Sequence, residues 1–101
     1  MISRNDFVFT IGFEGDVAVV DGALKKRYRS FSTLKLAEAG MFKQAVCSAV
    51  YAGPDKQQEQ LEQVLTVYNS RTENRLGSVD ELMRTFGVFE VPDDVDKVMV
   101  I

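Results

Sequence analysis

The sequence contains no histidine, no tryptophan, one cysteine and two prolines among 101 residues. A single cysteine, Cys47, excludes an internal disulfide, and a structural zinc site needs about four Cys or His ligands, so zinc is effectively excluded. The missing histidine also removes the usual base that activates a cysteine nucleophile. We therefore expect no metal, no cofactor and no catalytic activity.

Long hydrophobic runs are also missing. The longest apolar runs, such as Val98–Ile101, are far shorter than the roughly 20 residues that span a bilayer. The opening residues MISRNDF lack the apolar core of a signal peptide. We therefore expect a cytoplasmic protein that does not bind membranes. Hydrophobic residues make up 46% of the sequence, which predicts one modest core and a single domain over residues 1–101.

The N-terminal part of the sequence alternates apolar and other residues. Residues 6–20, DFVFTIGFEGDVAVV, place Phe7, Phe9, Ile11 and Phe13 at a period of two, which is typical of a strand. Gly15 can adopt the positive φ that a tight turn requires. This pattern predicts a β-hairpin over about residues 6–20.

The middle of the sequence has helical spacing and helix-capping residues. Ser32 is a candidate N-cap for a helix beginning at Thr33, and Gly40 interrupts the pattern. Gly53-Pro54 ends one helix and starts the next. Ser78 with Glu81 forms a capping box that opens a further helix. Together these signals predict a central helical segment over about residues 33–86.

The C-terminal part returns to a period of two. Residues 88–91 and the final VDKVMVI flank a turn at Pro92-Asp93-Asp94, which predicts a second hairpin over about residues 88–101. The apolar run Val98–Ile101 favours a strand inside the sheet, although an edge strand covered by a partner would have the same pattern. The predicted fold is α+β, with both hairpins in one antiparallel sheet and the helices packed on one face.

A short basic stretch is the strongest candidate for ligand binding. We call Lys25, Lys26, Arg27, Tyr28 and Arg29 the basic cluster, and we predict that it lies in a loop or an edge strand. Lysine and arginine neutralise phosphates, and an aromatic ring can stack on a base, so the cluster could contact a polyanion. The net charge of -3 disfavours nucleic acid, because nucleic-acid-binding domains are typically basic.

Charge is distributed unevenly along the chain. Residues 22–43 carry an excess of cations, whereas residues 44–101 carry an excess of acids. Such asymmetry is compatible with a basic patch for an anionic partner, or with oppositely charged surfaces that complement each other within the fold or across a dimer.

These observations favour a function in binding. We predict a non-catalytic protein-interaction or regulatory module that binds a protein partner or self-associates, as a homodimer formed through sheet edges or through the helices. The alternative is a weak nucleic-acid-binding accessory protein that uses the basic cluster. A catalyst that uses carboxylates or tyrosines in a pocket between helices is a third class, although no such residues are placed together by the sequence.

Overall fold

The computed structural model describes residues 2–101, which divide into two compact units. The sheet unit consists of the chain up to Ser30 together with Val91–Ile101, and the helical unit is Phe31–Glu90. The predicted α+β class is confirmed, since the described residues form six helices and a three-stranded sheet. None of these helices is both long and apolar enough to cross a membrane.

The sheet unit combines two short helices with the three strands. Its elements are α1 (Arg4–Val8), β1 (Thr10–Glu14), β2 (Val17–Val20), α2 (Gly22–Tyr28) and β3 (Lys97–Val100). The strand order is β1-β2-β3, so β2 is central and the other two strands are edges. β1 pairs with β2 antiparallel, and β3 pairs with β2 in parallel.

The N-terminal hairpin is present but shorter than predicted. β1 begins only at Thr10, and residues 4–8 form α1. The Ser3 side chain caps this helix by accepting the Asp6 N–H, which is the usual role of an N-cap serine. Residues 7–9 are all buried, a pattern that a strand with one exposed face cannot produce. Gly15 lies in the hairpin turn with a φ of 61°, as predicted.

The predicted C-terminal hairpin over residues 88–101 is wrong. Residues 88–91 form no strand, and only β3 is present. The prediction of an antiparallel sheet is wrong in the same region, because β3 runs parallel to β2. A parallel pair requires a long crossover connection, and here the crossover includes the entire helical unit. β3 is also an edge strand and not an interior one.

The helical unit contains α3 (Thr33–Glu38), α4 (Phe42–Tyr51), α5 (Pro54–Arg71) and α6 (Val79–Phe86). The predicted boundaries are confirmed. Ser32 and Ser78 each accept a backbone N–H from the third residue of the helix that follows. Gly53 and Gly87 adopt φ values of 90° and 68° at the ends of their helices, a conformation that glycine adopts without a steric penalty.

The helical unit has its own apolar core. Its largest fully buried side chains are Leu36, Leu61, Leu82, Val46 and Val64. Three aromatic rings from α4, α5 and α6 also pack together. The Phe42 and Tyr68 ring centroids lie 5.1 Å apart, and the Tyr68 and Phe86 centroids 5.9 Å apart, both edge to face. This geometry is favoured by the aromatic quadrupoles. The packing of these helices on a face of the sheet stays a prediction.

Candidate interaction surface

The basic cluster lies on a helix up to Tyr28, and Arg29 is the C-cap residue of that helix, so the predicted loop or edge strand at residues 24–28 is wrong. α2 begins after Asp21, whose carboxylate accepts the Leu24 N–H at 3.0 Å and caps the helix. Alanine, leucine, lysine and arginine, which fill residues 23–27, are all good helix formers. The cap and the local propensity therefore favour a helix in place of the predicted loop or edge strand.

Lys25 is the member of the basic cluster that faces the protein. Its Nζ lies 2.5 Å from a carboxylate oxygen of Asp6 in α1. Both side chains are largely covered, and this ion pair links α1 to α2. Lys25 is therefore engaged within the sheet unit, and its charge is already balanced.

The other cations of the basic cluster face outward. Lys26, Arg27 and Arg29 are exposed, and the Arg27 guanidinium lies 5.3 Å from the centre of the Tyr28 ring, a cation–π distance. Sequence reasoning missed Arg4, whose guanidinium donates to the Arg29 carbonyl oxygen at 3.4 Å. Burial lowers the pKa of Arg4 from its usual value. The pairing of Arg4 with Arg29 carries no local sequence signal, since it depends on the fold.

The outer side of β3 carries a contiguous run of exposed apolar side chains. We call Val98, Met99, Val100 and Ile101 the β3 edge. All four side chains are exposed, from 38% at Val98 to 66% at Ile101. Contiguous exposed apolar side chains of this kind mark interaction sites in soluble proteins.

The backbone of the β3 edge also has hydrogen-bonding groups that point away from the sheet. Ile101 uses both groups toward β2, because its N–H donates to the Val20 carbonyl and its carbonyl accepts the Gly22 N–H, each at 3.0 Å. Backbone groups of successive strand residues alternate between the two sides. The N–H and C=O groups of Val98 and Val100 therefore point outward, where the described residues provide no further strand.

The opposite edge of the sheet is less suited to pairing. β1 also exposes two large apolar side chains, Ile11 and Phe13. Its register with β2 is broken between Thr10 and Gly12, whereas β3 pairs with β2 at four consecutive positions. Bulges are a common device that prevents an edge strand from pairing with another chain. Of the two edges, β3 is therefore the one that can accept a further strand.

A polar groove on the helical unit is a second candidate for ligand binding. It encloses about 280 Å³ and is lined mainly by residues of α3 and α5. At its base the Thr33 hydroxyl donates to Gln60 at 2.6 Å and accepts from the Ser48 hydroxyl at 2.7 Å. Every buried polar side-chain atom among residues 2–101 has a partner. The Thr33, Ser48 and Gln60 side chains therefore satisfy one another and link α3, α4 and α5.

The surroundings of Cys47 do not favour a nucleophile. Its side chain is buried in α4, and burial raises the pKa of the thiol to about 11, with nearby Lys43 opposing the shift. At neutral pH the thiol is protonated and a poor nucleophile. Among residues 2–101, no three His, Cys, Asp or Glu side chains are grouped closely enough to hold a metal ion.

The two features that could bind a partner are thus the exposed cations of α2 and the β3 edge, and both belong to the sheet unit. Protein-family models, curated proteins and solved structures were all compared with this chain, and no match was found.

Proposed function

We propose that this protein is a non-catalytic protein-interaction module that binds another polypeptide strand along the β3 edge. The observation that carries this proposal is the combination, at one edge strand, of exposed apolar side chains with outward-pointing backbone groups at Val98 and Val100. Addition of a strand to a sheet edge uses both, because backbone hydrogen bonds provide affinity and side-chain contacts provide specificity.

Strand addition at the β3 edge would supply two favourable contributions to the free energy of binding, apolar burial and backbone hydrogen bonds. Full burial of a Val, Met or Ile side chain contributes about 1.5–3 kcal/mol, and the β3 edge side chains are roughly half exposed. Covering several of them, together with new hydrogen bonds of about 1 kcal/mol each, can offset part of the entropy lost on association. Without a bound strand, this edge would favour aggregation, because Lys97 is the only charged residue of β3.

Site-specific photocrosslinking tests this function. In one full-length variant a photoreactive amino acid replaces Met99. In a matched control it replaces Ile11 on the other edge strand. The two side chains are similarly exposed, 43% at Met99 and 54% at Ile11. We expect adducts at position 99 with a protein that mass spectrometry identifies, either this chain or another. Adducts at position 11 should be absent or much weaker.

Two results would contradict the proposal. One is an absence of adducts at position 99 in purified protein and in cells. The other is equal labelling at positions 99 and 11, because that would indicate nonspecific contact between apolar side chains.

The exposed cations support a second candidate function, weak polyanion binding by Lys26, Arg27 and Arg29. With Lys25 paired to Asp6, three cations are available instead of four. Full pairing of three cations with duplex DNA phosphates corresponds to a salt slope of about -2.7. Such binding would be weak and independent of sequence.

Heparin chromatography tests the second function. Changing Lys26, Arg27 and Arg29 to serine should abolish salt-sensitive retention. The matched control changes Lys56, Arg71 and Arg84, three exposed cations of the helical unit, to serine and removes the same charge. If both triple variants lose retention equally, net charge alone explains the binding and this candidate fails.

A further inference from the structure

We infer that the strand bound at the β3 edge is β3 of a second copy of this chain, paired antiparallel about a twofold axis near Met99. This inference rests on the proposed function and names the partner. The resulting dimer would contain one continuous six-stranded sheet, three strands from each copy. The backbone pattern of β3 and the charges of the segments that flank it support this dimer.

The outward backbone groups of β3 are arranged for such a pair. They belong to Val98 and Val100, with Met99 between them. In an antiparallel pair centred on Met99, Val98 lies opposite the partner's Val100, and each of these residues can exchange both hydrogen bonds with the residue it faces. We call the contact between the two β3 strands the seam. Across it, valine meets valine and methionine meets methionine, and all of these side chains are apolar and exposed in the single chain.

The segments that flank β3 carry opposite net charge. Asp93, Asp94 and Asp96, which we call the acidic segment, are exposed and precede β3, and Lys97 at the start of the strand offsets only one of these three charges. At the other end of the strand, the Gly22 N–H donates to the Ile101 carbonyl, so α2 begins beside the end of β3, and Lys26 and Arg27 lie in the last turn of this helix. Antiparallel pairing about a twofold axis brings the acidic segment of each copy to the α2 end of the other.

This arrangement favours a second copy over an unrelated strand. A twofold interface is self-complementary: if a residue of one copy contacts a second residue of its partner, the same contact also occurs with the two copies exchanged. Each copy has both halves of that contact, because the acidic segment precedes β3 and α2, with its exposed cations, begins beside the other end of the strand. A parallel pair of two copies would instead place acidic segment beside acidic segment, which like-charge repulsion disfavours.

Charge reversal in two separate chains tests the inference. One full-length variant carries Asp94→Lys and Asp96→Lys, and the other carries Lys26→Glu and Arg27→Glu. Each variant alone places like charges at both ends of the seam, so we expect at least about a tenfold weaker homodimer than the unmodified chain forms. An equimolar mixture restores opposite charges at both ends, and we expect a heterodimer that native mass spectrometry resolves by mass.

The apolar seam has its own matched pair of variants. Val98→Lys with Val100→Lys places lysines opposite each other across the seam and should abolish dimerisation. Ile11→Lys with Phe13→Lys makes the same change on β1 and should leave the dimer intact. Circular dichroism of each variant checks that it is folded, so that loss of the dimer is not mistaken for loss of structure.

The outcomes separate this inference from the proposed function. An unmodified chain that is monomeric up to its solubility limit overturns the inference, and adducts at position 99 with a different protein would then still support the proposed function. A dimer that survives the Val98 and Val100 changes overturns the inference, because its interface lies elsewhere. Reversed-charge variants that homodimerise normally, or that fail to form a heterodimer on mixing, overturn the antiparallel arrangement.

Discussion

Replacing Leu36 by alanine is expected to lower the free energy of unfolding by about 2–5 kcal/mol. Leu36 lies in α3 with none of its surface exposed, and α3 packs against both α4 and α5. Removing its side chain leaves a cavity that the surrounding helices can fill only in part. Because α3 is only six residues long, its stability depends on this packing more than on its own hydrogen bonds.

Leu34, two positions earlier in α3, provides the control for this prediction. Its side chain is 40% exposed, so Leu34→Ala removes the same atoms from a site that water already reaches. Its cost should be about 1 kcal/mol or less. Urea unfolding followed by circular dichroism measures both values. Equal costs for the two variants would show that Leu36 is not in the core of the helical unit.

Replacing Gly22 by alanine is expected to destabilise the sheet unit by about 1–3 kcal/mol, the usual cost of overpacking. A Cβ atom at this position would lie 2.7 Å from a methyl carbon of Val100 and 2.9 Å from the carbonyl oxygen of Ile101. The second contact is with backbone, so a side-chain rotation cannot relieve it. The gain in helix propensity from glycine to alanine, about 1 kcal/mol at most, offsets only part of the clash.

Gly12 in β1 is the matched control for Gly22. An added Cβ there meets no atom within 4 Å, and we expect Gly12→Ala to leave the stability nearly unchanged. Unfolding curves and hydrogen exchange of the β3 amides compare the two variants. We also expect Gly22→Ala to speed exchange selectively at residues 97–101, because the clash displaces that strand. A Gly22 variant as stable as the Gly12 variant would contradict the close approach of Gly22 to Val100 and Ile101.

The helical unit could be predicted well because its signals are local. Ser32, Gly40, Gly53 and Ser78 act on backbone groups within a few residues of themselves. A cap or a left-handed glycine has the same effect whatever the rest of the fold does. The helix boundaries around these residues were therefore predictable from the sequence alone.

The sheet unit was predicted less well because its pairing is not local. Periodicity can indicate that residues 97–100 form a strand, but the direction of the strand depends on the path of the chain that precedes it. The alternation around Phe7 and Phe9 suggested a strand, yet the Ser3 cap and continuous burial produce a helix. In the basic cluster, a helix capped by Asp21 similarly replaces the predicted loop or edge strand.

The candidate site was predictable only in part. The basic cluster was identified from its composition, but composition could not show that Asp6 engages Lys25 or that Arg4 reaches Arg29. The apolar run at the end of the sequence had two interpretations, an interior strand or an edge strand covered by a partner. The observed strand order removes the first of them.

The interrupted sheet unit has a consequence for the order in which the protein folds. β3 joins β2 only after the whole helical unit has been synthesised, and contacts between residues so distant in sequence form slowly. The helices need only nearby residues and can form while the chain is still emerging from the ribosome. Until β3 arrives, the nascent chain exposes the apolar Val17–Val20 edge, and an unpaired edge of this kind favours pairing with another chain.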